Sequence, residues 1–292
     1  MISNSFIEQY KQIFRNDGIE KAKEYKNCFL KKEKIYKFVW LDDISRCHQE
    51  CNRVELNESK INSLQNRQIW FSTYKNFNDP FELASTYINK SITHEYTNFN
   101  LLSDALELAK NSVVISCFTD DFKYNTPMWA HYTNNYKGFC MEFEIIDAKF
   151  IYPVLYSNGS KYDVNNMTNT YLTYILKDMK DSLREDEAKK AKEIADIFIW
   201  TFTEKTKVWS YEREYRVFYP NIKGLGTNGF LVSMEDLGLK LKSIYIGSQI
   251  EDEYESRLKV IARDLGININ KMYVDYEGSR YKLDYKDIMQ EL

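Results

Sequence analysis

The stretch IWFSTYKNFNDPFE, residues 69–82, joins an apolar strand to a polar turn. Ile69, Trp70 and Phe71 are branched and aromatic strand formers, and Ser72 and Thr73 follow at the strand end. Asn78, Asp79 and Pro80 then bend the chain, because Asx side chains bond their own backbone and proline presets φ. Polar groups at the end of a buried strand are where a rigid scaffold offers a site. Two distant segments share this character: MWAHYTNNYKGFCMEFE (128–144) and KTKVWSYEREYRVFY (205–219). In the second, alternation of Tyr215, Val217 and Tyr219 with their neighbours predicts a strand, with Glu212 and Glu214 on one face of the extended chain. Like charges on one face repel. The pair is therefore either an ion-pair cluster, neutralised by Arg213 and Arg216, or the acidic part of a site.

With 292 residues, 43% hydrophobic and 28% charged, the chain can bury a sizeable core. Its 23 Tyr and 17 Phe suit stacking on planar ligands, although frequent Asn, Lys and Ile point to AT-rich codon usage as the source. A net charge of -3 gives no global field for nucleic acid, and the basic run at 21–37 reads as a solvated helix face. No apolar stretch approaches the ~18 residues of a spanning helix, and the N-terminus lacks a signal-peptide core. The expectation is a cytoplasmic protein with no membrane partner. Five cysteines, an odd number in apolar or helical contexts, argue against a disulfide framework. The CHxxC cluster of Cys47, His48 and Cys51 lacks a second ligand pair, so no metal site is assigned.

The pattern predicts an N-terminal helical extension over 1–33 and a single α+β domain over 34–292, with a helical insert at 160–205. Strands are expected at 35–40, 69–73, 113–118, 138–143, 152–156, 215–219, 229–232, 243–246 and finally 271–276. Pro153 marks the strand at 152–156 as an edge, since it cannot donate to a ladder. Helices are expected after Asp42 and Asp43, near 59–64, over 91–110 and over 252–265. Mixed connections give a mixed, largely antiparallel sheet. A doubly wound nucleotide fold is disfavoured, because GLGTNG (224–229) stands in no strand–helix context.

The ordered blocks WFSTYKNFNDPFE, MWAHY, GFCMEF, YEREYR and IYIG, spread over roughly 34–276, resemble a bacterial family known only as domain of unknown function 2971. Its members look like components of defence or toxin loci, which implies an antiphage or toxin effector with a partner protein from such a locus. A weaker resemblance is to ADP-ribosyltransferases, which carry a basic or His residue beside an aromatic on a first strand, an aromatic-Ser-Thr-Ser strand and a Glu-x-Glu before a late strand, in that order. Tyr36-Lys37, Phe71-Ser72-Thr73 and Glu212-Arg213-Glu214 stand in the matching order. Lys37 departs from Arg or His, being a point donor rather than a planar fork, and Tyr74 stands where a second Ser is usual.

That resemblance implies a split antiparallel sheet and NAD as substrate. Glu214 would stabilise the oxocarbenium-like state of nicotinamide–ribose cleavage, and Glu212 would orient or deprotonate a macromolecular acceptor. Ser72 and Thr73 would hold the ribose, Tyr36 or Trp70 would stack on the ring, and Lys37 would meet a pyrophosphate or ribose oxygen. Trp129, His131 and Tyr132 are further candidates. The competing reading puts Trp129 and Tyr132, at i and i+3, on a helix face packed against the core, with His131 a hydrogen-bonded residue rather than a base. Two other functions are compatible with these residues. One is a non-enzymatic module whose aromatic cleft recognises a nucleotide or a phage protein. The other is a metal-dependent nuclease using Asp79, Glu82, Glu212 and Glu214 with Lys207.

Overall fold

The chain is described by a computed structural model covering residues 4–43, 52–91, 96–159, 161–277 and 282–289. The CHxxC cluster at Cys47, His48 and Cys51 and the helix expected after Asp43 begin outside these described residues. Among the described residues the centre is a ten-stranded, largely antiparallel sheet. From one edge it runs β11 (Gly229–Ser233), β2 (Gln68–Ser72), β4 (Val113–Thr119), β1 (Lys34–Val39), β5 (Phe139–Ile145), β12 (Leu239–Ile246), β13 (Asn268–Asp275) and β14 (Lys282–Asp287). The β12–β13 pair is parallel, joined by helix α8 (Asp252–Leu265). The α+β class and the mixed, largely antiparallel sheet agree with the sequence reading.

The feature that matters for function is a split beside β4. One edge of β4 carries β10 (Glu214–Pro220) along its full length, from Glu214 opposite Thr119 to Pro220 opposite Val113. The other edge has two partners that diverge: Tyr36 of β1 stands opposite Thr119, and Ser72 of β2 stands opposite Ile115. Ser116, Cys117 and Phe118 lie between, facing a gap. The short strand β6 (Ile151–Pro153) flanks β10 as an edge, with Pro153 opposite Tyr215, where a missing N–H costs least.

Each face of the sheet has its own core. Ile35, Ile69, Phe71, Val114, Phe118 and Val217 pack with Ile61 and Leu64 of α3 (Arg53–Gln65) and with Tyr254, Leu258 and Ile261 of α8. The opposite face carries Ile115 and Phe218 against Leu106 of α4 (Tyr96–Asn111) and Phe198 and Phe202, the former on α7 (Glu185–Thr201). A third cluster under β1 and β5 joins Tyr36, Phe122, Trp129 and Tyr245. The N-terminal pair α1 (Asn4–Asp17) and α2 (Ile19–Leu30) is pinned by Lys26, which donates to the carbonyls of Ala148, Lys149 and Ile151 at 2.6, 3.1 and 2.9 Å.

Three expectations change. The insert is two helices, α6 (Asn165–Asp178) and α7, because the polar stretch between them breaks the apolar period. The segment expected as one strand at 152–156 is divided: β7 (Leu155–Ser157) leaves the main sheet and pairs in parallel with β9 (Glu204–Thr206). The strand at 271–276 is not last, since β14 follows it as an antiparallel partner.

Gly138, at the entry to β5, shows how close β1 and β5 run. A Cβ there would stand 2.0 Å from the Val39 carbonyl oxygen and 3.0 Å from the Trp40 Cα. Backbone atoms cannot yield cheaply, so Gly138→Ala is expected to lower the unfolding free energy by at least ~1–3 kcal/mol, read from the urea midpoint.

Candidate active site

The gap beside β4 opens into a cleft of about 240 Å³. Its walls come from all three segments singled out in the sequence. Tyr36, Lys37 and Phe38 come from β1, Trp70 and Ser72 from β2, and Asn78, Asp79 and Glu82 from the turn after it. Met128 and Tyr132 come from α5 (Thr126–Tyr132), and Lys205, Trp209, Glu212 and Glu214 from β9 through the start of β10.

The floor is a buried chain of charges. Strand alternation places Glu214 and Arg216 on the same face of β10, the α7 side. Arg216, 1% exposed, holds Glu214 through Nε at 2.9 Å and Glu82 through Nη2 at 2.6 Å, and its Nη1 donates to the Phe202 carbonyl. Lys205 Nζ then bridges Glu214 at 3.1 Å and Glu212 at 2.6 Å. Tyr132 Oη donates to the second Glu212 oxygen, and the Glu214 N–H donates to Tyr156 Oη at 2.8 Å. Lys205 Nζ also sits 4.8 Å from the centre of the Trp209 ring, within cation–π reach.

Glu212 and Glu214 do not share a face of an extended chain as expected. Glu212 ends a 3-10 turn (Lys207–Glu212), and Arg213 sits in the left-handed region at φ 46, so the strand starts only at Glu214. The turn swings Glu212 round until both carboxylates meet the same ammonium. Arg213 does not neutralise them either; it pairs with Asp120 and Asp121.

Three carboxylates thus pair directly with two cations, and the environments separate their proton affinities. Burial raises the Glu214 carboxyl, but the adjacent Arg216 and Lys205 charges and their hydrogen bonds outweigh it, holding the group down at about 2. Burial, reinforced by Glu214's charge, pushes Glu212 above its ordinary range against the opposing pull of Lys205 and Tyr132. Glu82 is raised by burial to about 7 despite Arg216. The cluster therefore keeps one carboxylate firmly ionised and raises the proton affinity of the other two. Environments that drive neighbouring carboxyls apart divide acid–base roles between them.

The structure brings together Tyr36, Lys37, Trp70, Ser72, Tyr132, Glu212 and Glu214 of the sequence-derived candidates. Trp70 stands at the rim, 51% exposed. Ser72 Oγ is tied to the carbonyl of Asn228 and accepts from Asn76 Nδ2 at 3.1 Å. Three candidates fall outside. Thr73 is buried behind the strand end, its N–H on the Asn228 carbonyl. Trp129 is 0% exposed, its indole N–H donating to the Phe122 carbonyl at 2.6 Å and its ring meeting Phe38 edge-on. His131 is exposed on the outer side of α5, 6.5 Å between ring centres from Tyr211. The helical period explains this: Met128 and Tyr132, four apart, face the cleft, while Trp129 turns to the core and His131 to solvent.

Lys205, Trp209, Arg216 and Ser116 carry the site without having been assigned to it. A lysine seven residues before one acid and nine before the other signals nothing until a turn folds it back. Among the described residues no group of three or more His, Cys, Asp or Glu is arranged to hold a metal ion. Of the carboxylates that the nuclease reading names, Glu82, Glu212 and Glu214 pair with Arg216 and Lys205, whereas Asp79 accepts from the Phe81 N–H; Lys207 is exposed and off the cleft lining.

Residues 128–217 match the family described as "Protein of unknown function (DUF2971)". The match runs from α5 through β10 and so contains Tyr132, Lys205, Glu212, Glu214 and Arg216; the resemblance read from the sequence is borne out over this segment. No curated protein and no solved structure matches the chain. Among the described residues no helix is long and apolar enough to cross a membrane.

The charge cluster makes two predictions. Arg216→Met leaves Glu82 and Glu214 buried without their shared partner, and is expected to cost ~3–5 kcal/mol of stability by denaturant unfolding. Glu82 binds its proton up to about pH 7 in the fold but only to about 4.5 when unfolded. The folded state is thus the more protonated one between those values, and stability falls as pH rises through them. Glu82→Gln should flatten that slope, gaining on the wild type between pH 5 and 8 in thermal unfolding; an unchanged difference would show Glu82 to be ionised throughout. Glu214 acts in the opposite sense, adding stability above 4.5 that is lost as pH falls toward 2.

Proposed function

We propose that the cleft binds NAD and breaks its nicotinamide–ribose bond, passing the ADP-ribosyl group to a macromolecular acceptor or to water. What supports this reading is convergence. Tyr36-Lys37 on the first strand, Ser72 on the second and the Glu212–Glu214 pair before a late strand are far apart in sequence, yet line one cleft at a split in the sheet. At about 240 Å³ the cleft is below the ~300–1,000 Å³ that encloses a drug-sized ligand, and so suits one end of a dinucleotide.

The chemistry follows from the separated carboxylates. The C1′–N bond breaks with its electron pair leaving on nicotinamide, and positive charge develops on the ribose. A permanently ionised, immobilised Glu214 lowers the energy of that charge without reorganising, as electrostatic catalysis requires. The acceptor O–H or N–H adds to C1′ and gives up its proton, for which Glu212, with its raised proton affinity, is the better base. Lys205 keeps the two acids side by side, which their mutual repulsion would otherwise oppose. Trp70 and Trp209 supply ring faces for the planar base. An effector role in defence against phage, or as a toxin, is consistent with NAD consumption.

The test is release of nicotinamide from NAD by the purified protein, with and without cell lysate. Glu212→Gln should lower the rate ~10²–10⁴-fold, the usual worth of a positioned base. Trp70→Ala, at an exposed rim position that tolerates change, should raise KM and leave folding intact. Binding of NAD with no turnover would instead assign the cleft to a recognition module, and absence of both would remove NAD from the account.

A further inference from the structure

The wall of the cleft facing away from the acids is built of donors. Just past β4 the N–H of Asp120 donates to the Arg213 carbonyl on the β10 side. Ladder parity then turns the backbone groups of Thr119, Cys117 and Ile115 toward the other edge. Thr119 and Ile115 meet Tyr36 and Ser72 there, whereas on that edge no strand residue stands opposite Cys117 among the described pairings. Its carbonyl accepts instead from Lys37 Nζ at 3.2 Å, and the same parity turns its N–H toward the split.

A buried hydroxyl and a half-buried lysine share that gap. Ser116 is 2% exposed and its Oγ has no hydrogen-bond partner among the described residues, although it lies in the cleft lining. Lys37 enters from the same face of the sheet, its Nζ 5.2 Å from the centre of the Phe118 ring, and it makes no ion pair among the described residues. A buried ammonium whose acceptors are a neutral carbonyl and a ring face, and a buried hydroxyl with no partner, are both costly as they stand. One anionic oxygen group in the gap satisfies both.

We propose that Lys37, the Ser116 hydroxyl and the Cys117 N–H form an oxyanion subsite that receives a phosphate group of the ligand. The proposal rests on the nucleotide reading of the cleft for its ligand, while its donor set stands independently. Burial pushes the Lys37 ammonium below its ordinary range, with Cys117 and Glu214 pulling the other way, and a bound phosphate would reverse that penalty. The site is polarised as a result: acids at the Lys205 end, donors at the Lys37 end. A ligand positive at one end and anionic a few bonds away fits both walls.

Inorganic phosphate is the first probe, measured by thermal unfolding against chloride at equal ionic strength, with acetate in parallel. Phosphate should raise the wild-type midpoint and leave that of Lys37→Met unmoved. The methionine variant should fold at least as stably, because it replaces an unpaired buried charge by an apolar group of similar shape. Ser116→Ala should need about tenfold more phosphate for the same shift, the order expected for one charge-assisted hydrogen bond. Equal stabilisation of wild type and Lys37→Met would mean an adventitious ion only, and overturns the subsite, as does no stabilisation. Acetate matching phosphate in a Lys37-dependent way overturns the phosphate assignment in favour of a carboxylate. Calorimetry with nicotinamide mononucleotide and nicotinamide riboside, which differ by the phosphate, should show a preference of about tenfold or more that collapses in Lys37→Met. Nicotinamide release without any phosphate response sinks the subsite alone. A Lys37-dependent phosphate response without release keeps the subsite and sinks the glycosidic reading.

Discussion

The buried chain Glu82–Arg216–Glu214–Lys205–Glu212 is the constraint on which the arrangement of this molecule turns. Its five groups come from the turn after β2, from β9, from the 3-10 turn and from β10, so satisfying it fixes four pieces of backbone relative to one another. Such a chain is a poor source of net stability, since desolvation offsets most of the attraction. What it provides is uniqueness, because any displacement strands a charge in the interior. Arg216 in addition donates to the Phe202 carbonyl and so ties the end of the helical insert to the sheet.

The split beside β4 is the second half of the same design. A continuous ladder would have satisfied Cys117 with another strand and closed the cleft. With β1 and β2 diverging, that edge is held open by side chains, with Lys37 capping one carbonyl and Asn76 and Asn228 bracing the end of β2 around Ser72. Binding sites are found where a sheet is interrupted because that is where backbone and side-chain polar groups face space rather than each other. Here the interruption places donors on one wall and a graded set of carboxylates on the other.

The aromatic richness of the chain divides along the same lines. Tyr36, Phe122 and Tyr245 stack in sequence with ring centres 4.6 and 4.0 Å apart, and Trp129 packs between Phe38 and Tyr136. These rings build the floor under the first strand. Trp70 and Trp209 line the cleft without belonging to this stack. Tyr132 lines the cleft as well, and its hydroxyl bonds Glu212.

Much of the strand inventory, the α+β class and three of the wall segments were determined by sequence, because strand alternation, turn chemistry and helical period are local properties. Ser72, Glu212 and Glu214, which line the cleft, could be singled out for the same reason: polar groups at strand ends and paired acids are visible without a fold. Tertiary structure alone decided which neighbours those groups have. It turned Trp129 into core and His131 to solvent, because one residue along a helix is a rotation of about 100°, which only packing can orient. It sent Arg213 to Asp120 and Asp121 and gave both acids to Lys205, since a left-handed residue at Arg213 redirects the chain. It also opened the gap at Ser116 and Cys117, which no pattern within VVISCF announces. Long-range pairing selects the residues opposite a strand, and that selection depends on every element that must pack at once.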